Sequence, residues 1–575
     1  MKITIAKTAG FCMGVRRAVE LALDASNRTH GSIYAYGPLI HNPQVMNILA
    51  DKGISVINEI PDSGSGTVII RAHGIPPYER EALINAGFDV LDATCPKVIK
   101  VQSIIAKHAK EGYAVIIVGD RSHPEVIGLL GYAGENGFVA ETMDELSALP
   151  KFDKAILVTQ TTQNTVFFET VREWASLQHP NYKVFNTICD STESRQAEVK
   201  QLASEVDAVV VVGGYESGNT KRLFEIARDA GKPSVHIETE TDLEISQLGN
   251  ATHIGITAGA STPNWIIKRV YGEIESLMVH KGRRHRRWLF VLQRYLLLSN
   301  IYLAMGAGCL TYAASILQGT VPSFLCIFMA VFYFLCMHTF NNLRDITSDR
   351  YNDPDRAMFY QQNRKFLLIS TGISGFAGMI TAYLMGPLFF MLLLCMSFMG
   401  IVYIISLVPR DATSGIQPRI RDIPGSKTVF AALAWGIVTS IVPALYGFGR
   451  IQSVTILVFL WATILVFVRT AFFDILDMQG SRIVGKETIP ILLGEKRTMR
   501  LLKILSVLSA VLLSLCSAFQ VVSTLGFLLA ICPLSMLMFL NAYKRGGFSS
   551  GLRQGFFMEG HFILAGLLTM FWMLF

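Results

Sequence analysis

The sequence lacks the close cysteine pairs from which structural zinc sites are usually built. Its 575 residues contain nine cysteines, and no two of them are spaced as Cys-x-x-Cys. Six fall in or beside apolar segments of the second half and are interpreted as packing residues. The other three are an odd number, which argues against a closed disulfide framework. The first residues also lack a charged stretch followed by an apolar run, so we predict no signal peptide and a cytoplasmic first half.

Charge is scarce, and the apolar excess lies in the second half. Charged residues make up 17% of the sequence and the mean hydropathy is +0.40, too apolar for a soluble protein. Residues 1–280 nevertheless alternate strand-like and helical stretches, which predicts a soluble α/β domain. Residues 291–575 predict an all-α membrane bundle, because about nine apolar stretches each approach the roughly 20 residues that a bilayer crossing requires. These stretches centre near residues 305, 330, 375, 397, 437, 462, 509, 531 and 566.

Basic residues indicate the orientation of this bundle. They concentrate in alternate loops, at residues 341–365, 408–426, 478–503 and 542–553. By the positive-inside rule these loops and the N-terminal domain are cytoplasmic, which predicts a multi-pass protein of the inner (cytoplasmic) membrane. Another basic run lies at 281–290, between the two domains. Nucleic-acid binding is the alternative there, but an apolar segment follows at once, so we interpret the run as a juxtamembrane linker.

Three cysteines of the first domain have the same surroundings. Cys12, Cys95 and Cys189 each follow a strand-like apolar run and precede a helical stretch. A thiol beside the start of a helix is expected to favour the thiolate, which is the form that binds metal. Three thiolates suit an iron–sulfur cluster or a zinc ion, and the spacing alone does not choose between these. Three inert buried thiols are the remaining alternative.

The loops downstream of these cysteines also repeat. His41 lies 29 positions after the first cysteine, and His123 and Ser217 lie 28 positions after the second and third. A third strand follows in each unit, ending in Ala72-His73-Gly74, Gln160-Thr161-Thr162 or Ala258-Gly259-Ala260-Ser261. Self-similarity at a long period predicts three copies of one supersecondary unit. Ligands of open α/β sheets bind beyond the carboxyl ends of the strands, so we expect these residues to converge on one central site.

The polar residues of the loops indicate what this site binds. A four-iron cluster held by three cysteines would leave one iron without a protein ligand, open to a substrate. Neutral or cationic donors suit an anion with many oxygens, a diphosphate in particular. The donors are His41, His73, His123, Ser217, Asn219 and Ser261. Glu125 is the only carboxylate among them, and beside a diphosphate it would retain its proton more easily, which suits a general acid.

These motifs resemble 4-hydroxy-3-methylbut-2-enyl diphosphate reductase over about residues 1–275. They are, in order, Gly10-Phe11-Cys12-Met13-Gly14-Val15, Asp92-Ala93-Thr94-Cys95-Pro96, His123-Pro124-Glu125-Val126, Thr159-Gln160-Thr161-Thr162, Thr187-Ile188-Cys189 and Thr257-Ala258-Gly259-Ala260-Ser261. The resemblance implies three pseudo-symmetric α/β repeats around a central iron–sulfur cluster. It implies reductive dehydroxylation of (E)-4-hydroxy-3-methylbut-2-enyl diphosphate to isopentenyl and dimethylallyl diphosphate. That reaction is the last step of the methylerythritol phosphate route to isoprenoids.

The same resemblance implies roles for single residues. Cys12, Cys95 and Cys189 would hold a [4Fe-4S] cluster whose fourth iron meets the substrate hydroxyl. Glu125 would be the proton source, and Thr161 would orient it together with the hydroxyl. The diphosphate would be held by His41, His73, His123, Ser217, Asn219 and Ser261. Reduced ferredoxin or flavodoxin is the implied electron donor, since the sequence shows no flavin or nicotinamide motif.

Carboxylates also mark the membrane domain, at residues 341–356 and 474–488. Aspartates three or four positions apart share a helix face, and two such faces would hold Mg²⁺ ions that bridge a diphosphate. Helix ends kept soluble by charge are the alternative. The two stretches resemble the membrane-embedded prenyltransferases of quinone, haem and lipid biosynthesis, over about residues 290–575. The resemblance implies a Mg²⁺ and prenyl diphosphate region at Asn341, Asp345, Asp349, Asp474 and Asp477, and an unidentified lipophilic acceptor.

Three positions depart from the patterns of these families. Gly218 stands where many relatives of the reductase carry serine, and a backbone N–H would serve there. In the membrane domain, Asn342 and Ser481 replace two aspartates. The leading interpretation is a membrane-tethered reductase fused to a prenyltransferase, with no nucleic-acid partner. A transferase with a regulatory iron–sulfur module is one competitor, which Glu125 argues against because a regulator needs no acid. An inactive membrane scaffold is the other.

Overall fold

The computed structural model describes residues 2–28, 31–280, 284–404, 425–484, 486, 488–544 and 552–575. The chain divides into two units, Met1–Glu275 and Ser276–Phe575. The predicted linker 281–290 falls partly outside the described residues, and the basic loops 408–426 and 542–553 fall largely outside them.

The first unit alternates strands and helices along its length. The strands are β1 (Lys2–Ile5), β2 (Ile33–Tyr36), β3 (Ile54–Ile57), β4 (Thr67–Ile70), β5 (Asp89–Asp92), β6 (Ala114–Val118), β7 (Gly137–Ala140), β8 (Ala155–Thr159), β9 (Lys183–Val184), β10 (Ala208–Val212), β11 (Ser234–Ile237) and β12 (His253–Ala258). The helices are α1 (Met13–Arg28), α2 (Pro43–Asp51), α3 (Pro77–Asn85), α4 (Pro96–Lys110), α5 (Pro124–Ala133), α6 (Met143–Ala148), α7 (Thr165–Gln178), α8 (Asp190–Glu205), α9 (Gly218–Asp229) and α10 (Asn264–His280).

These strands form three four-stranded parallel sheets. Their orders are β3-β2-β4-β5, β7-β6-β8-β9 and β11-β10-β12-β1. Each sheet contains three strands that are consecutive in sequence: β2–β4, β6–β8 or β10–β12. The second of these forms one edge, the first lies beside it, and the third lies beside the first. The N-terminal strand β1 is the last strand of the third sheet. It pairs with β12, so the first and last strands of this unit are neighbours. Parallel pairing requires crossover connections, and the intervening helices supply them.

The central strands are buried on both faces. All five residues of β6, of β8 and of β10 are buried, and most of them are valine or isoleucine. Such continuous runs are typical of parallel strands covered by helices on both sides. In β6, Val115 and Ile117 belong to one buried cluster, whereas Ala114, Ile116 and Val118 belong to another. Burial on two sides fixes these strands, and with them the loops at their carboxyl ends.

The second unit is helical. Its helices are α11 (Arg284–Leu298), α12 (Ile301–Leu317), α13 (Phe324–Arg344), α14 (Ile346–Asn352), α15 (Pro354–Gln362), α16 (Arg364–Met385), α17 (Pro387–Ile404), α18 (Ser426–Gly436), α19 (Val442–Phe448), α20 (Ser453–Leu476), α21 (Met478–Ile483), α22 (Ile489–Leu493), α23 (Glu495–Ala518), α24 (Leu525–Leu529), α25 (Ile531–Lys544) and α26 (Leu552–Trp572). One π-helical turn, Ile437–Ile441, joins α18 to α19.

Seven helical segments of the described chain are long and apolar enough to cross a membrane, fewer than the nine expected. The count becomes eight if the bent pair Trp288–Leu298 and Ile301–Leu317, which turns by 70°, forms one span. The stretch expected near residue 397 is the helix segment Pro387–Tyr403, which is apolar but shorter. The second unit is therefore a multi-pass membrane domain by length and composition.

Small residues allow the first and last long helices of this unit to approach closely. A methyl group added at Gly306 of α12 would lie 3.0 Å from Cβ of Phe562 in α26. One added at Gly566 would lie 2.7 Å from Cβ of Cys309. Such glycine contacts are typical of helix packing in membranes, where close backbone approach replaces the hydrophobic driving force.

Candidate active site

Each of the three cysteines lies at the start of a helix. Cys12 directly precedes α1, whereas Cys95 and Cys189 are the N-cap residues of α4 and α8. All three are free thiols that are neither fully buried nor fully exposed. The loop from strand to helix therefore presents a sulfur atom at three equivalent places of the first unit.

The backbone holds the three cysteines in the same way. The N–H of Cys12 donates to the carbonyl of Ala260 at 3.1 Å, that of Cys95 to Ala72 at 2.9 Å, and that of Cys189 to Thr161 at 2.9 Å. Each accepting residue lies two positions beyond the last residue of β12, β4 or β8. These strands occupy the third place of their sheets, so each cysteine is tied to the carboxyl end of a corresponding strand.

The thiols lie close enough to interact with one another. A side chain at Gly14, in the first turn of α1, would collide with Sγ of Cys95. The thiols of Cys12 and Cys189 both act electrostatically on Cys95. Three sulfur donors from three sheets thus face one region, which fits a metal centre with sulfur ligands.

The helix starts favour the thiolates of Cys95 and Cys189, but burial acts more strongly in the opposite direction. Burial raises the pKa of Cys95 and of Cys189. Backbone N–H groups in the first helical turns oppose this increase, as the sequence led us to expect, but the loss of solvation outweighs them. A metal ion at this site would supply positive charge that favours the thiolates of Cys95 and Cys189.

Three histidines from two of the sheets form one cluster. The ring centroids of His41 and His73 lie 4.8 Å apart, and those of His73 and His123 lie 5.3 Å apart. One nitrogen from each ring lies within 4.8 Å of the others. Burial lowers the pKa of all three, that of His123 to about 4, so the rings are neutral at pH 7.

Several polar atoms of this cluster are buried without a protein partner. Nε2 of His41, Nδ1 of His73 and Nδ2 of Asn219 have no hydrogen-bond partner among the described residues. Nδ1 of His123 accepts from the backbone N–H of Glu125 at 3.1 Å, so the proton of the neutral ring belongs on Nε2. Buried donors of this kind are rarely left unpaired, which indicates a ligand with acceptor oxygens.

The start of α9 joins this cluster. Ser217 is its N-cap, and its hydroxyl accepts from the N–H of Thr220. A methyl group at Gly218 would lie 3.9 Å from the His123 ring, ordinary contact distance. The hydroxyl of Ser261 donates to the carbonyl of His41 at 3.0 Å. The structure therefore brings the six predicted diphosphate residues to one place, beside the open backbone of Gly218.

Glu125 is buried and hydrogen-bonded to one residue at both oxygens. Its side chain belongs to the first turn of α5, and the residue is 2% exposed. The N–H of Thr161 donates to Oε1 at 2.6 Å, and the Thr161 hydroxyl donates to Oε2 at 2.8 Å. Burial raises the pKa of Glu125 to about 7, although both hydrogen bonds from Thr161 act in the opposite direction. At neutral pH the carboxyl can therefore hold or release a proton.

Sequence reasoning missed several residues that shape this site. Arg222 of α9 forms an ion pair with Asp120 at 3.3 Å, which ties α9 to the loop after β6. The backbone N–H of Asp120 also donates to Oε1 of Gln160 at 3.0 Å. Arg195 of α8 is 3% exposed and reaches the loop that carries Cys12. No spacing pattern marks these residues, because their partners are distant in sequence.

Two adjacent residues of α18 connect the aspartate stretches of the membrane unit. Nζ of Lys427 lies 3.8 Å from Oδ2 of Asp345, and the hydroxyl of Thr428 donates to Oδ2 of Asp474. Nζ of Lys486 donates to the same Asp345 oxygen at 2.8 Å. The first and second aspartate stretches therefore meet, and two lysines accompany them.

The first stretch runs from the end of α13 through Asp345, the residue between the two helices, into α14. Asn341, Asp345 and Asp349 are spaced by four positions, and backbone hydrogen bonds of 3.0 and 2.9 Å connect them in succession. Burial raises the pKa of Asp349 to about 7 despite the nearby Arg356 and Lys427. A further cation beside Asp349 would favour its ionised form.

The substituted positions have structural partners. The Asn342 amide donates to Oδ1 of Asn300 and to the hydroxyl of Tyr360, both at 3.4 Å. The same Asn300 oxygen accepts from Arg356 at 3.3 Å. Ser481 is buried, and its backbone N–H donates to the carbonyl of Asp477 at 2.9 Å. Asn342 therefore belongs to a polar network beside the aspartates.

Comparison with known proteins shows what the first unit is similar to. A 4-hydroxy-3-methylbut-2-enyl diphosphate reductase of Aquifex aeolicus (strain VF5) is 44% identical over 278 residues, covering 48% of this chain and 96% of the relative. The chain belongs to the 4-hydroxy-3-methylbut-2-enyl diphosphate reductase family. The LytB protein family matches residues 3–275. A solved (E)-4-hydroxy-3-methyl-but-2-enyl diphosphate reductase is also 44% identical, covering 48% of this chain and 99% of that chain, with a TM-score of 0.39.

A second family matches the membrane unit of this reductase-family chain. The UbiA prenyltransferase family matches residues 301–564. A solved UbiA homolog from Archaeoglobus fulgidus, bound to GPP and Mg²⁺, is 18% identical, covers 48% of this chain and 98% of that chain, and has a TM-score of 0.35. The resemblance inferred from the motifs is thus confirmed for both halves of the sequence.

Proposed function

We propose that the first unit reduces (E)-4-hydroxy-3-methylbut-2-enyl diphosphate to isopentenyl and dimethylallyl diphosphate. The observation that carries the proposal is the assembly of three thiols, unpaired buried donors and one buried carboxyl in a single unit. The three sheets of equal strand order support an arrangement of three pseudo-symmetric repeats. Relatives that share about four residues in ten over nearly their whole length carry this reductase name.

Cys12, Cys95 and Cys189 would hold the iron–sulfur cluster. When bound, a [4Fe-4S] cluster supplies the electrons and one iron without a protein ligand. The residues present fit it, because three sulfur donors face one region and a metal ion would offset the burial that disfavours the thiolates of Cys95 and Cys189. Reduced ferredoxin or flavodoxin would deliver the electrons.

The histidine cluster and the start of α9 would hold the diphosphate. Neutral imidazole rings offer N–H donors without bringing like charges together. Within the described part of the chain, His41, His73 and Asn219 each have a buried nitrogen without a hydrogen-bond partner. Ser217 and Ser261 add hydroxyls, and the helix N-terminus at Gly218 adds backbone N–H groups. A tetrahedral anion between these donors would satisfy atoms that otherwise remain unpaired.

Glu125 would deliver the proton that accompanies loss of the substrate hydroxyl as water. A carboxyl with a pKa of about 7 is matched to proton transfer near neutral pH. Thr161 fixes its orientation through two hydrogen bonds. The Thr161 hydroxyl can also turn toward a substrate hydroxyl, because its oxygen accepts while its hydrogen donates.

The second unit would transfer a prenyl group from a diphosphate donor to a lipophilic acceptor. Asn341, Asp345, Asp349, Asp474 and Asp477 would form the Mg²⁺ and diphosphate region. The support is that Lys427 and Thr428 connect Asp345 with Asp474, which brings two carboxylates from distant stretches together. The first unit and the basic loops would face the cytoplasm.

The test uses the full chain, purified in detergent without oxygen. With (E)-4-hydroxy-3-methylbut-2-enyl diphosphate and a chemical reductant, we expect both five-carbon diphosphates in the product mixture. A chain that contains iron and sulfide in equal amounts but forms neither product would contradict the proposed reduction. A labelled prenyl diphosphate with Mg²⁺ and a membrane lipid extract tests the second unit separately.

A further inference from the structure

Arg17 connects the helix after the first cysteine with the segment before the second. It lies in the second turn of α1, and its Nη1 donates to the carbonyl of Thr94 at 3.0 Å. Its Nη2 lies 3.5 Å from the carbonyl of Asp92. Thr94 directly precedes Cys95, so a cation from one cysteine segment holds the backbone of the next.

Lys97 makes the corresponding connection from the second cysteine segment to the third. It lies in the first turn of α4, two positions after Cys95. Its Nζ forms an ion pair of 2.7 Å with Oδ2 of Asp190, the residue that directly follows Cys189. The Lys97 side chain is 38% exposed and that of Asp190 is 81% exposed, so this connection lies at the surface.

Arg195 connects the third segment back to the first. It lies in the second turn of α8, with Nη2 donating to the carbonyl of Gly10 at 2.6 Å and Nη1 to that of Ala258 at 3.0 Å. Gly10 stands two positions before Cys12. This guanidinium is buried, with 3% of the residue exposed, and its Nε also donates to the Ser191 hydroxyl at 3.4 Å. Its hydrogen-bond acceptors are neutral, and the Glu198 carboxylate acts on it electrostatically.

The three connections therefore close a cycle around the cysteines, which we call the cation ring (Arg17, Lys97 and Arg195). Each cation comes from the helix after one cysteine and contacts the segment of another. Lys97 interacts electrostatically with the thiols of Cys95 and Cys189, and Arg195 with those of Cys12 and Cys189. Two members of the ring, Lys97 and Arg195, therefore place positive charge near the three thiols, and Arg17 contacts the backbone next to Cys95.

We propose that the cation ring positions the three cysteines for the cluster and stabilises the additional negative charge of the reduced cluster. This inference rests on the proposed function, because it requires the cluster. The reduction potential of an iron–sulfur cluster depends on net charge, hydrogen bonding and solvent exposure, so fixed cations nearby raise it. Glu198 offsets part of the charge of Arg195, but Arg195 has the larger effect because it is buried, whereas both solvent and Asp190 weaken the effect of Lys97.

The backbone before Cys12 is also attached to α8 by hydrogen bonds that do not involve Arg195. Glu198, one turn further along α8, accepts the N–H of Lys7 at 2.6 Å and the N–H of Thr8 at 2.8 Å. The Thr8 hydroxyl donates to the same carboxylate at 2.6 Å. Loss of the guanidinium therefore leaves this loop attached to α8, so the variant tests charge more than folding.

The experiment measures iron content and midpoint potential of the full chain, purified without oxygen, in a redox titration followed by electron paramagnetic resonance. We expect Arg195→Gln to keep about the iron content of the unmodified chain, with a more negative potential and an altered spectrum. Arg195→Lys, which retains the charge, should recover part of the potential. Lys97→Met should lower the potential less, with an effect that decreases as salt is added. The matched control is Lys107→Met, which removes an exposed charge from the last turn of the same helix and should change nothing.

Two results would overturn the inference. The first is an Arg195→Gln chain with full iron and the potential and spectrum of the unmodified protein. The second concerns the case in which Arg195→Gln loses iron. The electrostatic role would then be excluded if Arg195→Lys and Lys97→Met both retain iron and the original potential. An unmodified chain without iron would instead reject the proposed function, and the cation ring with it.

Discussion

Replacement of Glu125 by glutamine tests the proposed acid with little change in shape. Glutamine keeps an oxygen that accepts from the Thr161 N–H, which now donates to Oε1 at 2.6 Å. Its amide cannot accept from the Thr161 hydroxyl, so that hydroxyl must turn and accept instead. The variant should therefore fold and bind its cluster, at a cost of about 1 kcal/mol for one altered hydrogen bond.

The magnitude of the effect on catalysis follows from the buried carboxyl. Its pKa rises from 4.5 to about 7, so ionisation in the folded protein is about 3 kcal/mol less favourable than in water. The carboxyl therefore keeps a proton at higher pH than an exposed glutamate would. Loss of a positioned general acid lowers turnover by about a hundredfold or more, and we expect that decrease for Glu125→Gln.

The pH dependence has a definite sign. Because the folded pKa is raised, the protonated form is fully present at low pH and is lost as the pH rises through about 7. The rate of the unmodified enzyme should therefore decline above pH 7, whereas the residual rate of Glu125→Gln should not show that decline. The stability of the unmodified protein relative to the variant should fall as the pH rises from about 4.5 to about 7, because only the unfolded chain is ionised there, and should level off above pH 7.

The assay compares iron content, the spectral change on substrate addition and the rate of reduction for both proteins across pH. Normal iron content and normal substrate binding with a strongly reduced rate would support the acid. A Glu125→Gln protein that reduces substrate at the unmodified rate would refute the reasoning. So would one that fails to assemble its cluster, because Glu125 would then serve the cofactor.

Three further predictions concern Thr161, Cys95 and Asp345. Thr161→Val removes the hydroxyl hydrogen bond that lowers the pKa of Glu125, so the alkaline decline in rate should move to higher pH, as a pH–rate profile will detect. Cys95→Ser should lose or degrade the cluster, and iron analysis showing an intact four-iron chain would contradict its role as a ligand. Asp345→Ala should abolish Mg²⁺-dependent prenyl transfer while reduction continues, measured with a labelled prenyl diphosphate in membranes. Unchanged transfer in both Asp345→Ala and Asp474→Ala would remove these aspartates from the mechanism.

The repeated pattern made most of the reductase site predictable from sequence. Nearly equal spacing from each cysteine to a polar loop, 28 or 29 positions, predicts that these loops meet, because corresponding strands end at one side of their sheets. The structure brings His41, His73 and His123 into one cluster in this way. The contact of Glu125 with Thr161, 36 positions apart, also joins two of the predicted loops.

Features that depend on tertiary packing could not be predicted from the sequence. The location of Cys95 at a helix start predicts a lowered pKa, but the extent of its burial is a tertiary property and reverses the direction. The cation ring has no pattern in sequence, since Arg195 and Gly10 are 185 positions apart.

Local backbone geometry explains why the sequence predicts nine membrane spans although the described chain contains seven long apolar helices. The first apolar stretch is broken at Asn300, whose φ of 62° lies in the left-handed region that asparagine adopts more readily than most residues. Hydropathy averages over such a break and counts one continuous span. The stretch near residue 397 is apolar throughout, but its helical segment, Pro387–Tyr403, is shorter than a full crossing.

The most direct test is the Mössbauer spectrum of the full chain, purified without oxygen, before and after addition of (E)-4-hydroxy-3-methylbut-2-enyl diphosphate. Three cysteines that hold a [4Fe-4S] cluster with one open iron predict about four irons per chain, one of which changes its signal when substrate binds. Stoichiometric zinc without iron would contradict this assignment, and so would four irons whose signals do not respond to substrate.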